Sequence, residues 1–276
     1  MAANLSSKEK RILSELIIPP QPNTLIKLLE EADKKEPRID VLAELIASDM
    51  AMSGVILQLV NSAEYMLYKK VTSVHKAVLM LGLARTIPLV KAIALKNAFE
   101  QSPALVDFWQ QINQLGLVCI RIAKLLKKPQ LAETAYMLSL FHMAGIPVMI
   151  VSFDNYETDM LPRATQIGWY NLLTEERDYY GSSHSTVAAM LAQRWQLPKQ
   201  LIEIIFHQYD LAHLTRCKNV STTGLDLISI IKIARRVCLP QGEIEWKTCE
   251  QIILSQLQLD QEQLDNLFNE LSPNKS

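Results

Sequence analysis

Met137-Leu138-Ser139-Leu140-Phe141-His142-Met143-Ala144-Gly145-Ile146-Pro147-Val148-Met149-Ile150-Val151 is the most apolar run of the chain, with one imidazole in its middle. Such a run without polar alternation describes an element buried all round, and Leu131 to Val151 reads as one helix containing His142. From Met137 to Phe153 it is interrupted by His142 and Pro147. It falls short of the ~18 uninterrupted apolar residues of a membrane span, so a buried helix is expected instead. A neutral histidine placed there is either a satisfied core residue or a ligand aimed into a pocket.

Composition extends the helical reading outward from this run. The 276 residues include only eight glycines and twelve prolines, and 49% are hydrophobic. That balance favours an all-α chain with ample core. The 28 basic and 29 acidic side chains leave a net charge of -1. Without a cationic surplus, nucleic acid is not an expected partner. Cys119, Cys217, Cys238 and Cys249 are widely spaced with no Cys-x-x-Cys pair; they read as reduced thiols of a cytoplasmic protein. The polar start, Met1 to Lys10, lacks the apolar centre of a signal peptide. No membrane association is expected.

Apolar spacing places the elements. Lys8 to Ile17 carries Ile12, Leu13, Leu16 and Ile17 on one helical face, and Pro19, Pro20 and Pro22 stop it. A second helix follows Pro22 and ends by Pro37. Asp40 is read as the N-cap of Val41 to Ala47, and Ser48 or Asp49 as the cap of Met50 to Asn61. Ser73 opens a helix that Gly82 ends, Leu83 to Phe99 forms the next, and Ser102-Pro103 punctuates the chain before a long helix from Ala104 to Lys127. Arg121, Lys124, Lys127 and Lys128 line the polar face of that helix and read as a solvated surface. Ser152 to Gly168 reads as an irregular surface crossing with room for a turn of helix. Helices are expected again over Trp169 to Tyr180 (ended by Gly181), after Ser183, after Pro198 and over Leu225 to Cys238. Two short amphipathic helices follow Pro240.

His142, His184 and His207 lie in or beside apolar helical segments. His207, Asp210 and His213 repeat every third residue, but one helix would set the outer two about 120° apart, so they read as surface residues. No Gly-x-Gly-x-x-Gly, Walker loop, Gly-x-Ser-x-Gly or His-Glu-x-x-His occurs.

Several ordered blocks resemble the HDOD domains, the HD-related output domains of bacterial signalling proteins, over roughly Pro19 to Cys238. They are Pro19-Pro20-Gln21-Pro22, Ile46-Ala47-Ser48-Asp49-Met50, Leu59 to Tyr65, Ser73 to Val78, Leu81-Gly82, Trp109, Phe141-His142-Met143-Ala144-Gly145, and His184 with Ala188, Trp195, Leu197-Pro198 and His207. The resemblance implies a multi-helical HDOD/HD-like bundle. Its expected parts are an N-terminal helix (1–18), an N-terminal helical subdomain (19–100), a degenerate HD-like subdomain (101–240) and short C-terminal helices (241–276). Relatives that hydrolyse phosphate esters carry Leu-His-Asp-Ile-Gly where this chain has Phe141 to Gly145, and hold a divalent metal with that His-Asp pair plus a further His and Asp. Here Met143 stands in place of the aspartate, Ile112 falls near the upstream histidine, and Arg235 is the counterpart of the final aspartate. A thioether is a poor ligand for magnesium or manganese, and a guanidinium repels a cation.

These readings make no residue catalytic and expect no cofactor. His142, His184, His207 and Arg235 are the candidate binding residues of a left-over pocket, and the three histidines are the remaining candidates for a divalent metal such as zinc, copper or nickel. The implied function is a non-catalytic bacterial signal-transduction output or scaffold protein that binds a signalling protein or a small anionic ligand. The alternative is a metal-dependent phosphohydrolase of the HD superfamily with an altered ligand set. Tyr65, Tyr68, Lys69, Lys70, Tyr179, Tyr180 and Gly181 are the expected contact residues.

Overall fold

A computed structural model describes residues 16–65, 67–99, 105–239 and 242–271, and among these every regular element is a helix. The expected all-α fold is therefore observed. The chain divides into two compact units, Pro19–Leu140 and Phe141–Ser276, the segment ending at Ile18 belonging to the second. Of the helix expected over Lys8 to Ile17, only the last two residues are described. Leu16 is buried, and the Ile17 amide donates to Ser152 Oγ at 2.9 Å. Ser102-Pro103 and Pro240 lie outside the described residues.

The first unit contains α1 (Asn23–Ala32), α2 (Ile39–Ser48), α3 (Met50–Val60), α4 (Val74–Leu81), α5 (Leu83–Phe99), α6 (Val106–Leu125) and α7 (Ala132–Phe141), with short 3-10 turns at Ala63–Tyr65 and Pro129–Leu131. Helix α2 packs on α1, α3 and α4, and α5 on α1, α3 and α4. Leu25, Leu28, Leu42, Ile46, Ile56, Val60, Val78 and Leu89 are fully buried between them. Asp49 Oδ1 accepts the Met52 amide at 2.9 Å, as its capping role requires. Asp40 does not cap: α2 starts two residues earlier, at Ile39, with Arg38 in the cap position, and Asp40 pairs with Arg38 at 2.7 Å in the first turn. Asn61 instead clips the connector after α3, its amide bonding both the N–H and the carbonyl of Val71 at 2.7 Å.

Tyr65 is engaged within its own unit. Its hydroxyl donates to Glu133 Oε1 at 2.8 Å, the same oxygen that Arg85 meets at 2.6 Å. The Lys124 ammonium lies 4.3 Å from the Tyr65 ring centre and donates to the Glu64 carbonyl. One member of the basic stripe on α6 is thereby folded back onto its own unit. Tyr68 is fully exposed.

The second unit contains α8 (Gly145–Ser152), α9 (Tyr156–Ile167), α10 (Trp169–Tyr180), α11 (His184–Arg194), α12 (Lys199–Phe206), α13 (Leu211–Arg216), α14 (Thr222–Cys238), α15 (Gly242–Leu257) and α16 (Gln261–Leu271). Two expectations fail here. The helix read over Leu131 to Val151 is broken: α7 stops at Phe141, His142 to Ala144 form a turn, and α8 begins at Gly145. Pro147 falls in the first turn of α8, where its missing N–H costs nothing, so the break accommodates it. Ser152 to Gly168 is mostly α9 rather than a loop. Tyr156, Met160 and Ala164 recur every fourth residue on its buried face, and Pro162 sits on the exposed one.

Other signals hold. Gly181 takes φ 73° and closes α10 in a left-handed conformation, which glycine adopts without steric cost. Ser183 caps α11, its side chain accepting the Thr186 amide. The two tail helices are α15 and α16, and α15 packs on α14. By length and composition Pro129–Ser152 could cross a membrane, yet 83% of its most apolar window is buried inside the protein.

Candidate functional site

Breaking the apolar run puts His142 at the end of α7, fully buried, facing α14. Its Nε2 lies 3.2 Å from Arg235 Nη1, and the same guanidinium nitrogen lies 3.0 Å from Met143 Sδ. The His142 carbonyl accepts from Gln208 Nε2 at 2.8 Å. Arg235 is 2% exposed, a burial that a guanidinium tolerates only among acceptors and π faces. One such face belongs to Tyr209, whose ring centre is 5.4 Å from the guanidinium and 4.9 Å from the Lys232 ammonium.

Tyr209 links this group to His184. Its hydroxyl lies 2.9 Å from His184 Nε2, while His184 Nδ1 faces the Glu176 carboxylate at 2.8 Å. The carboxylate accepts, so Nδ1 carries the proton and Nε2 receives the Tyr209 hydroxyl. Glu176 also accepts the His184 amide at 3.0 Å and the Tyr156 hydroxyl. Burial and the adjacent carboxylate push the Tyr156 phenol well above its ordinary value, which keeps it a donor. Tyr156, Glu176 and His184 are all fully buried. The close approach of α8 to α11 is made by Gly145: a Cβ there would lie 1.8 Å from the His184 carbonyl oxygen.

A cavity of about 470 Å³ opens beside this network. Tyr209 and Lys232 belong to both, and Tyr170, Asn171 and Thr248 line its other sides. Its volume suits a small molecule, and its charged lining residues are the Lys232 cation and the Asp210 carboxylate.

His207 belongs to a different group. It caps the C-terminus of α12, its ring stacks on His213 at 4.0 Å, and its Nε2 lies 3.6 Å from Glu203. Burial and the neighbouring His213 lower its affinity for a proton. The reading of His207 and His213 as unrelated surface residues is overturned. The chain turns between Phe206 and Leu211, so the two are not on one helix and the 120° argument does not apply.

The structure thus joins His142 to Arg235, connects both through Tyr209 to His184, and places His207 with His213 and Glu203. Sequence reasoning missed Glu176, Tyr209 and Lys232. Glu176 and Lys232 lie on helices, eight residues before His184 and three before Arg235, and Tyr209 lies in the turn two residues after His207. Of the expected contact residues, Tyr179 is exposed and Tyr180 is buried against Phe153 and Tyr156.

The His142 imidazole faces a thioether and a buried guanidinium, neither of which is an oxygen ligand of the kind that magnesium or manganese takes.

Comparison with known proteins places these features. The HDOD domain family model matches residues 18–211. An uncharacterized protein of Treponema pallidum (strain Nichols) is 26% identical over 200 residues, 71% of this chain and 38% of that protein. The uncharacterized protein YuxH of Bacillus subtilis (strain 168) is 25% identical over 173 residues, 62% of this chain and 41% of that protein. These relatives are longer, and the chain aligns with about two fifths of each. Among solved structures, a "Putative phosphohydrolase" from Shewanella amazonensis SB2B superposes with a TM-score of 0.68 at 20% identity, over 97% of this chain and 94% of that one. An HDOD domain protein of unknown function from Geobacter sulfurreducens gives 0.61 at 16%, over 96% and 97%. A "Putative signal transduction protein" from Marinobacter aquaeolei VT8 gives 0.69 at 22%, over 98% and 64%. At such identities the superpositions establish the shared helical fold. The family match, which spans well over half of the chain and both units described above, establishes more: this protein belongs to the HDOD domain family.

Proposed function

We propose that this HDOD protein is a non-catalytic output or scaffold component of bacterial cytoplasmic signalling, and that its second unit binds a small anionic ligand or an acidic side chain of a signalling partner. One observation carries the reading: Arg235 lies against His142 and Met143, the positions that the sequence resemblance sets at the metal of phosphohydrolase relatives. Metal-assisted phosphoester hydrolysis requires a cation that activates water and polarises phosphorus. A guanidinium cannot be deprotonated in a protein and generates no hydroxide. Lys232, which lines the cavity, can hold a negative charge. The cavity bordered by Lys232 and Tyr209 is where such a charge would arrive, and the His142 and His184 contacts orient the residues around it.

The test is a hydrolysis screen of the purified protein against nucleotides and cyclic dinucleotides with magnesium, manganese or zinc. No turnover is expected. Metal-dependent turnover that disappears in His142→Ala would replace this reading with that of a phosphohydrolase using an altered ligand set. Binding is measured in parallel by titration with the same compounds, and Lys232→Gln is expected to weaken whichever anion binds.

A further inference from the structure

Outside the His142 network, four side chains able to ligate a metal meet at the turn between α12 and α13. Glu203 and His207 are four residues apart, and so are His213 and Cys217. On helical backbone each spacing puts both members on one face. The turn from His207 to Asp210 then brings the two pairs together, and Asp210 fixes it by accepting the His213 amide at 2.8 Å. One ligand atom from each of Glu203, His213 and Cys217 lies within 4.8 Å of the others. Cys217 Sγ is 3.7 Å from Glu203 Oε1, and His207 Nε2 is 3.6 Å from the same oxygen. Around a tetrahedral zinc with bonds of about 2.0–2.3 Å, neighbouring ligand atoms stand about 3.3–3.6 Å apart, so little movement is needed to close on an ion.

We propose that Glu203, His213 and Cys217 form a zinc site, with His207 beside it, its Nε2 3.6 Å from the Glu203 carboxylate, and the fourth position left to solvent. The chemistry of the set selects the metal. A thiolate, an imidazole and a carboxylate suit zinc and exclude magnesium and calcium, which take oxygen ligands. On binding, the Cys217 thiol releases its proton to solvent, and one thiolate plus one carboxylate then neutralise the ion's two charges. All three residues are half-buried, which gives an ion access while limiting competition from water. A bound ion would pin α12 to the end of α13 and hold Tyr209, which lies within the same turn, against His184. The site thereby stabilises the His142 network without taking part in it, and its existence does not depend on the function proposed above.

The experiment uses the full chain, stripped of metal by a chelator and dialysed against zinc, with cobalt(II) as the spectroscopic substitute. One equivalent per chain is expected, with a thiolate-to-cobalt charge-transfer band in the near ultraviolet. Cys217→Ser should abolish the band, and His213→Ala should weaken zinc binding about a hundredfold or more. His142→Ala should change neither. Metal-free circular dichroism of Cys217→Ser and His213→Ala, expected to match the parent because these two side chains are only partly buried, separates loss of a ligand from loss of the fold. Absence of stoichiometric uptake, or a cobalt band that persists in Cys217→Ser, overturns the proposal. Loss of uptake in His142→Ala with Cys217→Ser unaffected would overturn it too, by moving the metal to the His142 network.

Discussion

Gly145→Ala tests whether the residues around His142 are held by the contact between α8 and α11. A Cβ on residue 145 would meet the His184 carbonyl oxygen at 1.8 Å, its carbon at 2.7 Å and the Ala188 amide nitrogen at 2.9 Å. All three atoms are backbone of α11, so no side chain can swing away. The helices must part by roughly 1.5 Å at this point to restore ordinary contact, and strain of this kind costs about 1–3 kcal/mol or more. The same displacement stretches the bonds of His184 to Glu176 and Tyr209, now 2.8–2.9 Å, and charge-assisted bonds contribute about 1.5–3 kcal/mol. A total of about 3–5 kcal/mol is therefore expected, a large share of a typical stability of about 5–15 kcal/mol. In urea unfolding followed by circular dichroism, this lowers the midpoint by about 1 M or more. Gly54→Ala is the matched control. Gly54 lies exposed in α3 with nothing within 4 Å of where the added methyl would stand, and relief of glycine's backbone entropy should raise stability by about 0.5–1 kcal/mol. A Gly145→Ala midpoint within about 0.2 M of the parent would refute the contact as the determinant of this packing.

Three further outcomes follow from particular residues. Asn61→Ala removes the hydrogen bonds that hold Val71 and the Leu57 carbonyl, and should cost about 2–3 kcal/mol by thermal or urea unfolding; a loss below about 0.5 kcal/mol would show that the connector is held by other means. Glu176→Gln replaces an all-acceptor group with one that turns N–H donors toward the Tyr156 hydroxyl and the protonated Nδ1 of His184, and a loss of about 3 kcal/mol is expected, against no loss if the proton resides on Nε2. Burial pushes the Cys238 thiol up to about 11. Its alkylation at pH 8, read by mass spectrometry, should then be about a hundredfold slower in the folded chain than in urea, and should keep rising toward pH 11 instead of levelling near 8.5. Since the folded thiol keeps its proton where the unfolded one has lost it, the same burial removes stability as pH rises from about 8.5 to about 11.

The local chemistry of the chain was legible wherever a signal and its partner lie within one or two turns. Asp49 and Ser183 cap the helices they precede because a side-chain oxygen reaches an amide three residues on, and Gly181 ends α10 because a left-handed residue suits glycine. Pro147 and Pro162 show where local reading stops. Both interrupt an apolar pattern, yet one coincides with a break and the other rides on the solvent face of an intact helix. The difference is decided by what each side of the helix packs against.

The same division holds for the functional residues. Sequence alone determined the helical class and the family blocks, because residue type and order are enough to state both. Only the tertiary structure decided that Arg235 meets His142, that Glu176 and Tyr209 hold His184, and that His207 parts from both to stand with His213, Glu203 and Cys217. Those pairings join side chains up to 93 residues apart or across a turn between helices, and hydrophobic packing of whole elements sets their distances. A periodicity records which face of a helix is buried. It carries no record of which other helix that face will meet.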